Sequence, residues 1–459
     1  RSMAGPSDVA DPAQRTAGQI RRNWRLMSLI FGVNHGCVTT PLIFATTLLD
    51  SNVGYAGSAL LYCFTTLSSL FASVPLVMAM GQRRALVCGM GLYTAYVGSF
   101  AVAAALEKGS WAQWVVFLPG SCLGGLAASA LWTAQGGYLD RSTHALLAAE
   151  DRLDSTDAEE PAARRQRATA EQASIFAANY LVFEVVCKLL SSFALRYKVE
   201  PWAVFAVSLA FALASTLAGL LLLDLGRAEG APAGPAPASA KLLKAVSLWA
   251  DPSLWLLSPI NFTFGFAAAF MNGYVNAVYT KPQLGDDFVG FYATATALTA
   301  ALLSLAFGAC ARKLGSKGPF VAVGSLCFLA IPLLVLLVNF QGWRYWLIVP
   351  YLLQGCGRAV YESTGKGVFA DFFPGAQSEG AFANQMMQAT LSFALSFFFS
   401  AVLSREALAA VVLTLAAATF PCYLQARWLR REAKPQPARQ PALDDAEAAP
   451  EAARAPAEA

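Results

Sequence analysis

The chain has 459 residues, of which 56% are hydrophobic and only 14% charged, with a formal net charge of +4. A mean hydropathy of +0.48 places nearly all of this mass in a lipid bilayer and leaves no room for a soluble catalytic domain. The 33 Lys and Arg are scattered along the chain, which excludes a basic surface interleaved with aromatics for nucleic acid.

A bilayer core takes about 20 apolar residues per helix. In chain order, the stretches that predict spans are 26–49, 55–80, 85–106, 112–139, 170–194, 201–224, 253–279, 287–311, 318–339, 345–370, 379–403 and 406–426. The expected fold class is therefore all-α integral membrane, with twelve transmembrane helices. Around them lie a polar N-terminal segment (1–25), a polar loop (141–169), a linker (226–252) and a tail (427–459) that is basic and then rich in Ala, Pro and Glu. Lys434 to Ala459 and the GRAEGAPAGPAPASA stretch from Gly226 carry too little apolar surface to order themselves. Ala148 to Gln172 alternates acidic and basic clusters and reads as a solvated surface helix or a disordered stretch. Nothing at Arg1 predicts a signal peptide, and a start without Met points to a processed or truncated chain. If both termini share one side, 24 Lys and Arg fall on that side, six on the other and three within spans. That asymmetry puts both termini on the cytoplasmic-equivalent side.

Polar residues inside the spans mark the candidate sites. In the first and seventh spans Asn34, His35, Asn261, Asn272 and Asn276 can line a central cavity in which amides recognise a polar solute, or can bond helix to helix. The fifth span carries Glu184 and Lys188 four residues apart, on one helix face, where an ion pair between the halves is expected. In the tenth span Arg358, Glu362 and Lys366 also follow at intervals of four. On an α-helix they form a ladder with the carboxylate between two cations, suited to a latch or to a site for an anionic group. Gly32 and Gly36, and Gly120 and Gly124, have the small-x-x-x-small spacing of close helix packing. The sequon at Asn261 falls inside a span and is expected to stay unmodified.

The nine cysteines sit in or at the ends of spans with no Cys-x-x-Cys pair, and only His35 and His144 supply imidazole. Neither a zinc site nor a disulfide framework is indicated. Phosphate loops and nucleophile elbows are missing from the sequence, so no enzyme, cofactor or metal is expected.

A shift of 231 residues lays PGSCLGGLAASALWTAQGGYLD (from Pro119) on PYLLQGCGRAVYESTGKGVFAD (from Pro350), matching Pro119 to Pro350, Gly124 to Gly355, Ala128 to Ala359, Thr133 to Thr364, Gly136 to Gly367 and Asp140 to Asp371. The fourth and tenth spans are thus equivalents. MGQRRALVCGMGLY (from Met80) likewise matches LGSKGPFVAVGSLCF (from Leu314). A six-plus-six duplication, with halves 26–225 and 253–426, resembles the architecture of the major facilitator superfamily. EGAFANQMMQATLSFALSFFFS (from Glu379), LGDDFVGFYATATAL (from Leu284), ALWTAQGGYL (from Ala130), and Pro259, Gly265, Ala269, Phe270 and Gly273 are similar to the Unc-93-like family.

That resemblance implies a major-facilitator fold and two functional expectations. One is a transporter of a small polar or ionic solute by alternating access. The other is a scaffold, chaperone, channel regulator or accessory subunit with membrane-protein partners. It favours a plasma membrane or endomembrane, while an organellar membrane such as the thylakoid also fits. Only the tenth span keeps charge where the fourth has Ala127, Leu131 and Gln135. This asymmetry is compatible with both expectations.

Overall fold

The computed structural model describes residues 15–152, 161–225, 245–338, 340–374 and 377–432. Most of the linker, the centre of the 141–169 loop, the first 14 residues and the tail beyond Glu432 lie outside the described residues. All regular structure among the described residues is helical. The helices are α1 (Ala17–Leu48), α2 (Ser51–Phe71), α3 (Ser73–Met80), α4 (Gln82–Ala105), α5 (Trp111–Asp151), α6 (Pro161–Arg196), α7 (Pro201–Ala218) and α8 (Pro252–Leu284). After these come α9 (Asp286–Leu314), α10 (Gly318–Leu337), α11 (Ile348–Ala359), α12 (Lys366–Phe372), α13 (Ser378–Val402) and α14 (Arg405–Glu432).

Among the described residues, ten helices are long and apolar enough to cross a membrane. Two expected spans take a different form. The second is broken at Ala72, where α2 gives way to α3. The tenth is interrupted by a wide π-helical turn over Val360–Gly365, between α11 and α12. A second π-helical stretch, Phe270–Thr280, occupies the later part of α8.

Several helices are longer than one crossing requires. α1 starts at Ala17 because Thr16 and Gln19 form a capping box: Gln19 N donates to Thr16 Oγ1 (3.3 Å) and Thr16 N to Gln19 Oε1 (3.0 Å). At 41 residues, α5 is about 60 Å long, roughly twice the hydrocarbon thickness of a bilayer. The surplus is packed, since Ala17 and Ile20 of α1 meet Leu146 and Ala149 of α5 in a small core. Arg21 pairs with Glu150 at 2.8 Å across the same contact. Residue 26 thus marks where apolar composition begins, not where the helix does.

Small residues set the helix spacing. A methyl group added at Gly36 would stand 2.6 Å from the Phe183 carbonyl oxygen, and one at Gly32 would stand 3.1 Å from that of Asn179. α1 and α6 therefore touch through backbone, which the paired glycines permit. One apolar core is built from residues between Trp24 and Leu222, joined by Val289 and Ala293 of α9. Two others draw on residues between Leu248 and Ala426. A fourth cluster crosses between these groups, with Tyr55 of α2 against Ala268 and Ala269 of α8 and Phe393 and Phe397 of α13.

Candidate functional site

A cavity of about 370 Å³ opens at the middle of the bundle, with His35 and Thr39 of α1, Tyr62 of α2, Glu184 and Lys188 of α6, and Arg358 of α11 in its wall. The α-helical rise carries Glu184 and Lys188 to one face of α6, where Lys188 Nζ donates to Glu184 Oε1. From α11, Arg358 reaches the same carboxylate as a fork, Nη1 to Oε1 at 3.1 Å and Nη2 to Oε2 at 3.3 Å. Its Nε donates to Glu362 Oε1 at 2.8 Å. The outcome is a line of alternating charge, Lys188, Glu184, Arg358, Glu362, contributed by helices far apart in sequence. Glu184 and Lys188 are nearly sealed, whereas Arg358 and Glu362 show 18% and 21% of their side chains to the cavity. Two-pronged guanidinium–carboxylate geometry is the strong form of such a contact, and it fixes the orientation of both groups.

The expected three-charge ladder is only partly formed. Arg358 and Glu362 meet, but the π-helical turn lies between Arg358 and Lys366 and disturbs the four-residue stacking. Lys366 is exposed and makes no hydrogen bond or ion pair among the described residues, although it lines the cavity. Glu362 is thus held by one cation from its own segment, and the second acid of the network comes from α6.

His35 sits in an aromatic box, its ring centroid 5.5 Å from Trp132 and 5.4 Å from Tyr180, with Nδ1 buried and without a partner among the described residues. Asn272 also lines the cavity. Three of the expected amides lie outside its wall, and the reason in each case is helix bonding. Asn34 directs Nδ2 to the carbonyl oxygen of Ala212 and to Ser215 Oγ (both 3.2 Å), tying α1 to α7. Asn261 donates to Gln388 Oε1 at 2.7 Å, tying α8 to α13, and is fully buried, so its sequon is closed to modification. Asn276 donates to the Ile43 carbonyl at 3.3 Å and accepts from the Tyr351 hydroxyl.

Composition alone did not single out the aromatic side of the cavity. Tyr361 stacks on Phe264 with centroids 3.8 Å apart, Tyr62 on Phe393 at 4.4 Å, and Phe264 meets Phe393 edge-on at 5.6 Å. Tyr361, directly before Glu362, was the available signal, but aromatics are common in apolar spans.

Beyond the cavity, at the end of the bundle away from the start of α1, polar contacts join early and late segments of the chain. Thr46 Oγ1 donates to the Asn272 carbonyl (3.2 Å), Lys281 Nζ to the Thr47 carbonyl, and Arg196 pairs with Asp287 (3.3 Å). At the other end, Arg165 pairs with Asp140 (2.8 Å) and Lys317 with Asp371 (2.6 Å), each within its own part of the sequence.

A family model described as "Ion channel regulatory protein UNC-93" matches residues 46–146, and one described as "Major Facilitator Superfamily" matches residues 261–457. These matches make the chain similar to Unc-93 proteins, with a major-facilitator fold. Protein unc-93 homolog A of Bos taurus is 26% identical over 423 residues, covering 82% of this chain and 86% of the relative. Its counterpart in Danio rerio is 28% identical over 191 residues, 40% of this chain and 39% of the relative. Among solved structures, a POT family transporter in complex with a thioalcohol-conjugated peptide aligns with a TM-score of 0.61 at 13% identity, over 90% of this chain and 96% of that one. An auto-inhibited POT family peptide transporter aligns with a TM-score of 0.58 at 14% identity, over 93% and 98%. The solved structures speak to the fold of this Unc-93-like chain alone.

Proposed function

We propose that this Unc-93-like protein is a transporter that moves a small polar or ionic solute by alternating access, and that it is not an enzyme. The carrying observation is the central cavity, where the Glu184–Arg358 contact joins a residue before the linker to one after it. In this reading the broken tracts Ser51–Met80 and Arg344–Phe372 are the second and tenth spans and complete twelve. The two halves are then 26–225 and 253–426, joined by 226–252 and followed by the tail 427–459, with both termini on the cytoplasmic-equivalent side. Contacts between the halves at the end away from the termini, together with the exposure of Lys366 in the cavity wall, support a state closed on one side and open on the other. Related folds that belong to POT family transporters add the same expectation by analogy.

The test uses a cysteine at Thr39, which lines the cavity, while none of the nine native cysteines does. Labelling of Thr39→Cys above the parent by an impermeant maleimide from each side of sealed vesicles is the expected result. Access from one side alone, under every condition, defeats the transport reading. A second reading has its own support: four of the five charges around the cavity neutralise one another, which suits a locked fold, and the matching family model is described as a channel regulator. That protein would act as an accessory subunit for membrane-protein partners, would leave native membranes in a stoichiometric complex, and would label from one side.

A further inference from the structure

Among the described residues, five acidic or basic side chains other than His35 line the cavity: Glu184, Lys188, Arg358, Glu362 and Lys366. The first four are joined to one another as two cations and two anions. Lys366 is the remainder, exposed and unpaired among the described residues. Positive charge facing a low-dielectric cavity is left without an internal counter-charge, and such a site favours an anion.

Two further observations narrow the anion. The cavity wall includes the stacked rings of Tyr361 on Phe264 and of Tyr62 on Phe393, and Tyr62 and Phe264 are only partly buried. Flat apolar bodies gain from offset or edge contacts with such rings. Gln354, one turn before Arg358 on α11, is 4% exposed and lines the cavity with Oε1 buried and unpartnered among the described residues. An orphaned buried acceptor asks for a donor.

We propose that the cavity binds an aromatic organic monoanion, a carboxylate attached directly or through a short link to a flat ring that also bears a hydrogen-bond donor. Lys366 takes the carboxylate, the aromatic wall takes the ring, and Gln354 Oε1 accepts from the donor. Passage of that anion across the membrane rests on the transport reading; its binding does not.

The experiment is calorimetric titration of the full chain in lipid nanodiscs with 4-hydroxyphenylacetate, with tyramine (the same ring and hydroxyl on an ammonium) and with cyclohexylacetate (the anion without the aromatic ring). The hydroxyphenyl anion should bind at least about tenfold tighter than either analogue. Lys366→Gln should weaken it by about tenfold and Lys366→Arg should retain it, the change expected for one partly exposed charge contact. Lys366 is exposed and unpaired, so its variants should melt as the parent does. Gln354→Leu should weaken 4-hydroxyphenylacetate towards the affinity of phenylacetate and leave phenylacetate unchanged. Equal or tighter binding of tyramine, indifference to Lys366→Gln, or no binding of any of the three overturns the proposal. Two-sided access to Thr39→Cys without anion selectivity would sink this inference and leave transport standing. Selective binding with one-sided access would do the reverse.

Discussion

Glu184 serves two cations at once, Lys188 on its own helix and Arg358 across the cavity, so the three charges are not equivalent under substitution. Glu184→Gln leaves two cations without that acid, one of them the nearly sealed Lys188, and should cost about 3–5 kcal/mol of stability. Lys188→Gln leaves Glu184 still gripped by the Arg358 fork and should cost no more than about 2 kcal/mol, the scale of a lost charged hydrogen bond. Thermal unfolding in mild detergent measures both, and equal losses would remove Glu184 from the centre of the network. A double variant, Glu184→Gln with Lys188→Met, should melt above Glu184→Gln alone, because no sealed lysine is left without its acid. Glu362 is part-exposed and, among the described residues, bonded to Arg358 alone. Glu362→Gln should therefore change stability by about 1 kcal/mol or less, and an unfolded Glu362→Gln protein would show a larger structural role.

Helix contacts carry the next level of specification. α1 and α6 approach so closely at Gly36 that a methyl group would collide with backbone, which cannot swing aside as a side chain can. Gly36→Val should cost about 1–3 kcal/mol by overpacking and, by moving α6, should loosen the Glu184 contact with Arg358. A lower melting temperature with increased maleimide labelling of Thr39→Cys in the same background checks this, and an unchanged melt would mean that the helices slide freely. The π-helical turn at Val360–Gly365 is the other element-level feature. α5 runs unbroken through the matching tract, where Ala127, Leu131 and Gln135 stand opposite the charged positions. The ungapped match of 119–140 to 350–371 gave no notice of the difference, because equal lengths do not reveal which hydrogen-bond step the backbone takes.

For the whole molecule, contacts between early and late segments gather at the end away from the α1 start, where Lys281 reaches the Thr47 carbonyl and Arg196 meets Asp287. Lys281→Met with Asp287→Asn is expected to loosen that end, increasing labelling of Thr39→Cys from the side opposite the termini. Unchanged labelling would mean that apolar packing alone holds it shut. Tags at either terminus and within 226–240 should be protected on one side, with the loop at Lys281 on the other, as the distribution of Lys and Arg implies. Labelling of the two termini on opposite sides would break the even-span arrangement.

Composition and periodicity by themselves made this an all-helical membrane chain and located most of its helices, because burial in lipid imposes a single requirement, about 20 apolar residues per crossing, that can be counted. They also picked out Glu184, Lys188, Arg358 and Glu362, since charge at membrane depth is costly enough to be conspicuous. Which charges meet was decided only by tertiary structure. Glu184 and Arg358 are 174 positions apart, and no local pattern encodes contact over that distance. The same holds for Asn34, Asn261 and Asn276, whose amides are spent on neighbouring helices, and for Lys366, set apart from Glu362 by a turn geometry that depends on packing. An amide in a span satisfies the same sequence rule whether it faces a cavity or a carbonyl, and only the position of the neighbouring helix settles which.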